Sequence, residues 1–314
     1  MTTRTARTTA APLLVLLAAA LTGCGSSDDT SSSDDPLKSD QAAKGGTVVV
    51  GSNNFPESIL LADIYGEALK AKGIKVTYKP NIGSRETTYG LIKNGTLTVL
   101  PEYNGALMAY LDPKAHPTTV EGTGKAIEAK LDPKLALLEP SEAQDRDAVA
   151  VNSATAEKYK LTDKSTIADL VDVAPEMVIG GSPEFQTRKH GLPGLKDLYN
   201  VEFKSFKALD AGGPLTVAAL KGNHIQAADV FTTDPAIGKN KFIVLQDPKN
   251  LFGFENVTPL VYKSDLPETG VAALNAVSAK LDTATLLKLN SEVQDESKDP
   301  LDVAKAWLSE QGLV

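Results

Sequence analysis

The chain has 314 residues, a net charge of −8, 5 % aromatic residues, three histidines and a single cysteine. One cysteine excludes an intrachain disulfide, and an acidic balance without a basic block argues against a nucleic-acid partner. His116, His190 and His224 are scattered and lack a Cys or carboxylate partner at ligand spacing, so no zinc motif, nucleophile elbow or P-loop is present and no metal, cofactor or catalytic residue is expected. Most of these histidines read as solvated surface residues.

The first 24 residues read as a secretory signal. Arg4 and Arg7 supply positive charge, Leu13 to Ala20 an apolar core, and Leu21-Thr22-Gly23-Cys24 a lipobox. The apolar run is too short for a permanent span, which takes ~20 residues. Cys24 is therefore the expected lipidation site, and the protein is expected to sit on the outer face of the cell membrane, held by its lipid. From Gly25 to Gly46 the chain is rich in Ser, Asp and Gly, with too little apolar surface to fold, and reads as a disordered tether.

The folded part opens with Thr47-Val48-Val49-Val50-Gly51, a β-branched run suited to a buried strand. Pro56 starts a helix whose apolar face is Ile59, Leu60, Ile64, Ala68 and Leu69, ended by Gly73. A strand over 74–78, a helix over 85–93 and a strand over 97–100 follow, with Pro101-Glu102-Tyr103 just beyond. A second series begins near Asp147: strand 148–151, helices 154–159 and 167–171, strand 177–180, a helix entered through Pro183-Glu184-Phe185, helix 215–220, and strands 225–230 and 242–245. This alternation predicts an α/β fold with a mainly parallel sheet, in two lobes.

There is also an internal echo. Leu91-Ile92-Lys93-Asn94-Gly95, a strand and then Tyr103 resemble Leu220-Lys221-Gly222-Asn223-His224, a strand and then Phe231. Positions beyond the carboxyl ends of strands are where open α/β sheets bind ligands. Aromatic and polar residues gather at such positions: Asn53-Asn54-Phe55, Glu102-Tyr103-Asn104, Phe185, Arg188, Phe231-Thr232-Thr233-Asp234 and Phe254-Glu255-Asn256. Together they fit a binding cleft between lobes.

At these residues the sequence resembles the substrate-binding proteins of ABC importers for quaternary-amine osmoprotectants such as glycine betaine, choline and carnitine. The resemblance runs over nearly all of 47–314. Its landmarks are Gly51-Ser52-Asn53-Asn54-Phe55-Pro56-Glu57-Ser58, Pro101-Glu102-Tyr103-Asn104-Gly105, Pro183-Glu184-Phe185 with Arg188 and Gly191-Leu192-Pro193-Gly194-Leu195, Phe231-Thr232-Thr233-Asp234, and Asn256-Val257-Thr258-Pro259-Leu260. It implies a two-lobed type II periplasmic binding protein fold with a ligand cleft between lobes. Lobe one would comprise 47–146 plus 254–314, and lobe two 147–253.

It also implies ligand-binding roles. Tyr103 and Phe231 fall on aromatic-box positions, where π faces meet a cation that cannot donate strong hydrogen bonds. Arg188 falls on a carboxylate-binding arginine. Four positions depart from the family pattern: Asn53 stands for a lysine, Ala106 for a threonine, and Asp147 and Glu255 for box tyrosines. The expected ligand-binding set is Asn53, Tyr103, Asp147, Arg188, Phe231 and Glu255. The expected partners are a small cationic or zwitterionic ligand and an ABC permease and ATPase complex, with the protein a monomer. Asp147 and Glu255 leave open a different small cation, an amino acid or polyamine, and a role as a ligand sensor is a further alternative.

Overall fold

The computed structural model describes residues 46–115, 117 and 119–314. The expected signal, Cys24, the tether up to residue 45 and His116 lie outside the described residues. No described helix is long and apolar enough to cross a membrane.

Strand β1 (Thr47–Gly51) leads into α1 (Pro56–Ala71), β2 (Lys75–Lys79), α2 (Arg85–Lys93), β3 (Val99–Tyr103), α3 (Asn104–Leu111), α4 (Val120–Glu128) and β4 (Leu135–Leu137). The chain then crosses to a second sheet through β5 (Asp147–Val151), α5 (Ser153–Tyr159), β6 (Val178–Gly181), α6 (Leu192–Tyr199), β7 (Ser205–Ala208), α7 (Pro214–Lys221), β8 (Ala227–Phe231), α8 (Ala236–Asn240) and β9 (Ile243–Val244). It returns as β10 (Val257–Tyr262) and ends in α9 (Glu268–Ser278), α10 (Thr283–Gln294) and α11 (Pro300–Glu310). Short 3-10 turns cover Ile167–Leu170 and Pro183–Gln186, where helices were expected.

Helix α1 shows why these residues fold as they do. Pro56 occupies the first helical turn, where its missing N–H costs nothing, and Leu60, Leu61, Ile64, Ala68 and Leu69 are buried against α9, α10 and α11. Each such leucine or isoleucine contributes roughly 1.5–3 kcal/mol. Just past the helix, Gly73 adopts a φ of +76°, which a side chain would disfavour. Both sheets are covered on both faces. Val48 and Val50 point into the α1 side of the first sheet, whereas Val49 packs on the opposite side with Leu97 and Leu100. In β5, Val149 and Val151 face one core and Ala148 and Ala150 the other.

The strand orders are β2-β1-β3-β10-β4 and β7-β6-β8-β5-β9. Element by element they match, so β3 and β8 are equivalent central strands, and Tyr103 and Phe231 end them. The internal echo of the sequence therefore corresponds to a repeated topology. The expectation of a mainly parallel sheet is corrected: each sheet is mixed. Strand β1 is parallel to β2 and β3 and β6 to β7 and β8, but β10 and β5 run antiparallel to both their neighbours. These are the strands by which the chain enters each sheet from the other, so no helical crossover within that sheet sets their direction.

Strand β3 also runs farther than expected, through Pro101 to Tyr103. The Asn104 N–H donates to the Asn256 carbonyl at 3.1 Å, and the alternation this sets leaves Pro101 opposite Pro259 at a non-hydrogen-bonded position. There the absent proline donors break no bond between these two strands.

Candidate functional site

Three aromatic rings meet where the strands end. Tyr103 closes β3, Phe231 closes β8, and Phe55 follows β1 as the residue that caps α1. The Phe55 ring lies 5.9 Å from that of Tyr103 and 5.1 Å from that of Phe231, tilted by 38° and 44°. All three line one cavity. The Tyr103 hydroxyl donates to Glu57 Oε1 at 2.7 Å.

The two passages between the sheets form the floor. Gln144 and Asn256 make an antiparallel bridge, and the Asp145 N–H donates to the Glu255 carbonyl at 3.0 Å, so the two linkers run side by side. Gly105 sits where a Cβ would come within 2.2 Å of the Phe254 carbonyl, so only glycine lets α3 approach the return passage this closely. That approach allows the Ala106 N–H to donate to Glu255 Oε2 at 2.8 Å.

Beside the linkers lies a buried polar cluster. Glu57 also accepts from Thr233 Oγ1 and from Asn290 Nδ2, each at 2.5 Å, and Asp145 accepts from the Thr233 N–H at 3.0 Å. These contacts tie α1 and α10 to the segment after β8. Burial pushes the Asp145 carboxyl well above its ordinary range, with the neighbouring Glu57 charge adding to it. Burial raises Glu57 as well, against the three hydrogen bonds it accepts.

Acids dominate the rest of the wall. Asp147 faces Phe231 in the β5–β8 register, and Asp229 lies two residues before Phe231 on the same face of β8. Burial raises Asp147, Asp229 and Glu255 alike. His190 Nδ1 stands 3.7 Å from Glu255 Oε1, beyond hydrogen-bond reach, and neither atom has another hydrogen-bond partner. Arg85 is buried and donates through Nε and Nη2 to Glu102. Arg188 forks onto Glu86 of α2 at 3.0 and 2.7 Å, spanning the two lobes. Asn53 is buried, its side-chain oxygen accepting from Thr88 at 2.7 Å.

All six residues expected to bind ligand thus line one cavity: Asn53, Tyr103, Asp147, Arg188, Phe231 and Glu255. Among the described residues no group of His, Cys and acidic side chains could hold a metal ion. Comparison with known proteins matches residues 46–310 to the substrate binding domain of the ABC-type glycine betaine transport system. The chain belongs to this family. Its role is binding rather than catalysis. The glycine betaine-binding protein YehZ of Escherichia coli is 29 % identical over 278 residues, covering 84 % of this chain and 90 % of its own. The glycine-betaine-binding protein of Pseudomonas aeruginosa is 28 % identical over 282 residues, covering 85 % and 89 %. A solved glycine betaine/carnitine/choline ABC transporter structure superposes with a TM-score of 0.65 at 21 % identity, over 85 % of this chain and 99 % of that one, and supports the two-lobed fold.

Reading this binding domain by sequence missed Phe55 as a wall, and also Asp229, Arg85 and His190. In the sequence Phe55 stands out only as one of several aromatics near strand ends. Asp229 gave no signal beyond its place in an apolar strand, where an acid is out of keeping with its neighbours. Of the histidines, most of which read as solvated, His224 is exposed, whereas His190 lines the cavity with a largely covered side chain. At its neighbour Gly191 a Cβ would lie 1.9 Å from the Phe185 carbonyl, so only glycine lets this turn close as tightly as it does.

Proposed function

We propose that this protein captures a small quaternary-ammonium ion, of the glycine betaine, choline or carnitine class, in the cavity between its lobes and delivers it to an ABC permease and ATPase complex. The observation that carries the reading is the trio Phe55, Tyr103 and Phe231, whose rings from both lobes meet beside the carboxyl groups of Asp147, Asp229 and Glu255. Ring faces and negative charge together suit a cation that offers no strong hydrogen bond. Asn53, Tyr103, Asp147, Arg188, Phe231 and Glu255 are the proposed contacts, joined by Phe55.

Lobe one is taken as 47–146 with 254–314 and lobe two as 147–253, closing on the ligand about the paired linkers. What supports this division is that the chain passes between the sheets twice, at 138–146 and 245–256. Cross-lobe contacts from Arg188 to Glu86, Thr233 to Glu57 and Lys239 to Asp295 would hold the closed form. The protein would act as a monomer on the outer face of the membrane, released from its signal and held by a lipid on Cys24. Calorimetric titration of the purified protein with choline, glycine betaine and carnitine tests the reading. Saturable 1:1 binding of at least one is expected, and no heat from any would refute it.

A further inference from the structure

The cavity holds more acid than its own bases answer. Both guanidinium groups on its wall are engaged by carboxylates that do not line it, Arg85 by Glu102 and Arg188 by Glu86. Five carboxyl groups line the interior, Asp145, Asp147, Glu184, Asp229 and Glu255, with His190 as the one imidazole; Asp145 already accepts from the Thr233 N–H. Two of these acids carry oxygens with no hydrogen-bond donor. Asp229 is 4 % exposed and its Oδ1 is unpartnered; Glu255 is 1 % exposed and its Oε1 is unpartnered. A buried carboxylate oxygen without a donor is a costly group to keep, and such groups mark places where a ligand supplies the missing partner.

The placement says which part of a ligand would do so. Asp229 and Phe231 share one face of β8 two residues apart, about 6–7 Å along the strand. A cation held against the three rings therefore has its other end beside Asp229. A second carboxylate at that end would meet three acids and no free arginine. A hydroxyl or N–H would meet acceptors that lack a donor.

We infer that Asp229, with Glu255, determines specificity, selecting quaternary ammonium ions that end in a hydroxyl or N–H donor over those that end in a carboxylate. This rests on the proposed capture of a quaternary ammonium ion. The opposing case is a neutral Asp229, whose own proton could be offered to a ligand carboxylate; burial and the charge of Asp147 favour that form while the cavity is empty. An arriving cation favours the ionised form instead.

Three ligands separate these cases on the unaltered protein by isothermal titration: choline, ethyltrimethylammonium, which lacks only the hydroxyl, and glycine betaine, which has a carboxylate in its place. Choline is expected to bind at least threefold, and about tenfold, more tightly than either of the others. In Asp229→Asn the advantage over ethyltrimethylammonium should shrink, and because the ratios in the unaltered protein decide the matter, a variant that fails to fold does not. Glycine betaine binding as tightly as choline, or ethyltrimethylammonium within threefold of it, overturns the selection while leaving the quaternary-ammonium reading in place. Binding of none of the three overturns the selection, and silence from carnitine as well removes the quaternary-ammonium reading with it.

Discussion

Replacing Glu86 by glutamine tests how the arginine of the cavity is kept from ligands. Glu86 lies outside the cavity on α2, and its carboxylate holds both arms of Arg188, which lines it. Partial burial raises the Glu86 carboxyl, but hydrogen bonds from Arg188 and Ser84 and the charge of Arg188 outweigh it and bring the group down to about 2. At face value that depression is worth roughly 3 kcal/mol. The side chains, however, are 34 % and 44 % exposed, so water screens the pair, and about 0.2–1 kcal/mol is the appropriate contribution to lobe closure. Because the carboxyl is depressed, this contribution is fully present above about pH 4.5 and is lost as pH falls through about 2.

At neutral pH Glu86→Gln should therefore weaken choline binding by less than about fivefold. It should also free the Arg188 fork for a ligand carboxylate, and a charge-assisted pair of this kind contributes about 1.5–3 kcal/mol. The affinity ratio of glycine betaine to choline is then expected to rise by roughly tenfold or more, measured by parallel calorimetric titrations at low salt. A ratio that stays at the value of the unaltered protein would refute the idea that Glu86 occupies the arginine.

Two further outcomes follow from the geometry. Phe55→Ala removes the ring that bridges Tyr103 and Phe231, and the loss of one cation-π wall, about 0.5–2 kcal/mol, should weaken quaternary-ammonium binding roughly threefold to thirtyfold, whereas Phe55→Trp should largely preserve it. Equal affinities for Phe55→Ala and the unaltered protein, read by titration, would exclude Phe55 from the site. Asp63 on α1 titrates at about 6, raised from 3.8 first by burial and then by the charges of Asp299 and Glu67. With its folded value raised, its protonated form favours folding, and that contribution is lost as pH rises through about 6. Asp63→Asn should thus stabilise the protein by about 1 kcal/mol at pH 8, once solvent screening of this partly exposed side chain is allowed for, and much less at pH 4, seen as a higher Tm only at the higher pH.

Much of the scaffold is legible without coordinates because it depends on short-range patterns. The apolar spacing of 59–69, Pro56 ahead of it and Gly73 behind it specify α1 by local sterics and burial alone. The β-branched run of 47–51 does the same for β1. The aromatic after each of two similar helix-turn-strand units led to Tyr103 and Phe231, because a repeated topology puts equivalent positions at equivalent strand ends. Family landmarks added Asn53, Asp147, Arg188 and Glu255, all of which line the cavity.

What the residues do to one another depended on tertiary structure. Arg188 and Glu86 are 102 positions apart and Glu57 and Thr233 are 176 apart, and no local pattern pairs them. The direction of β5 and β10, antiparallel in sheets otherwise built of parallel neighbours, is set by the double passage between lobes rather than by their own residues. Composition and periodicity determine which segments become strands and helices and which faces they bury. Only the packed fold decides that Phe55 completes a ring of aromatics, that Arg188 is already paired, and that Asp229 and Glu255 keep acceptors without donors, because each depends on distances between segments the chain brings together last.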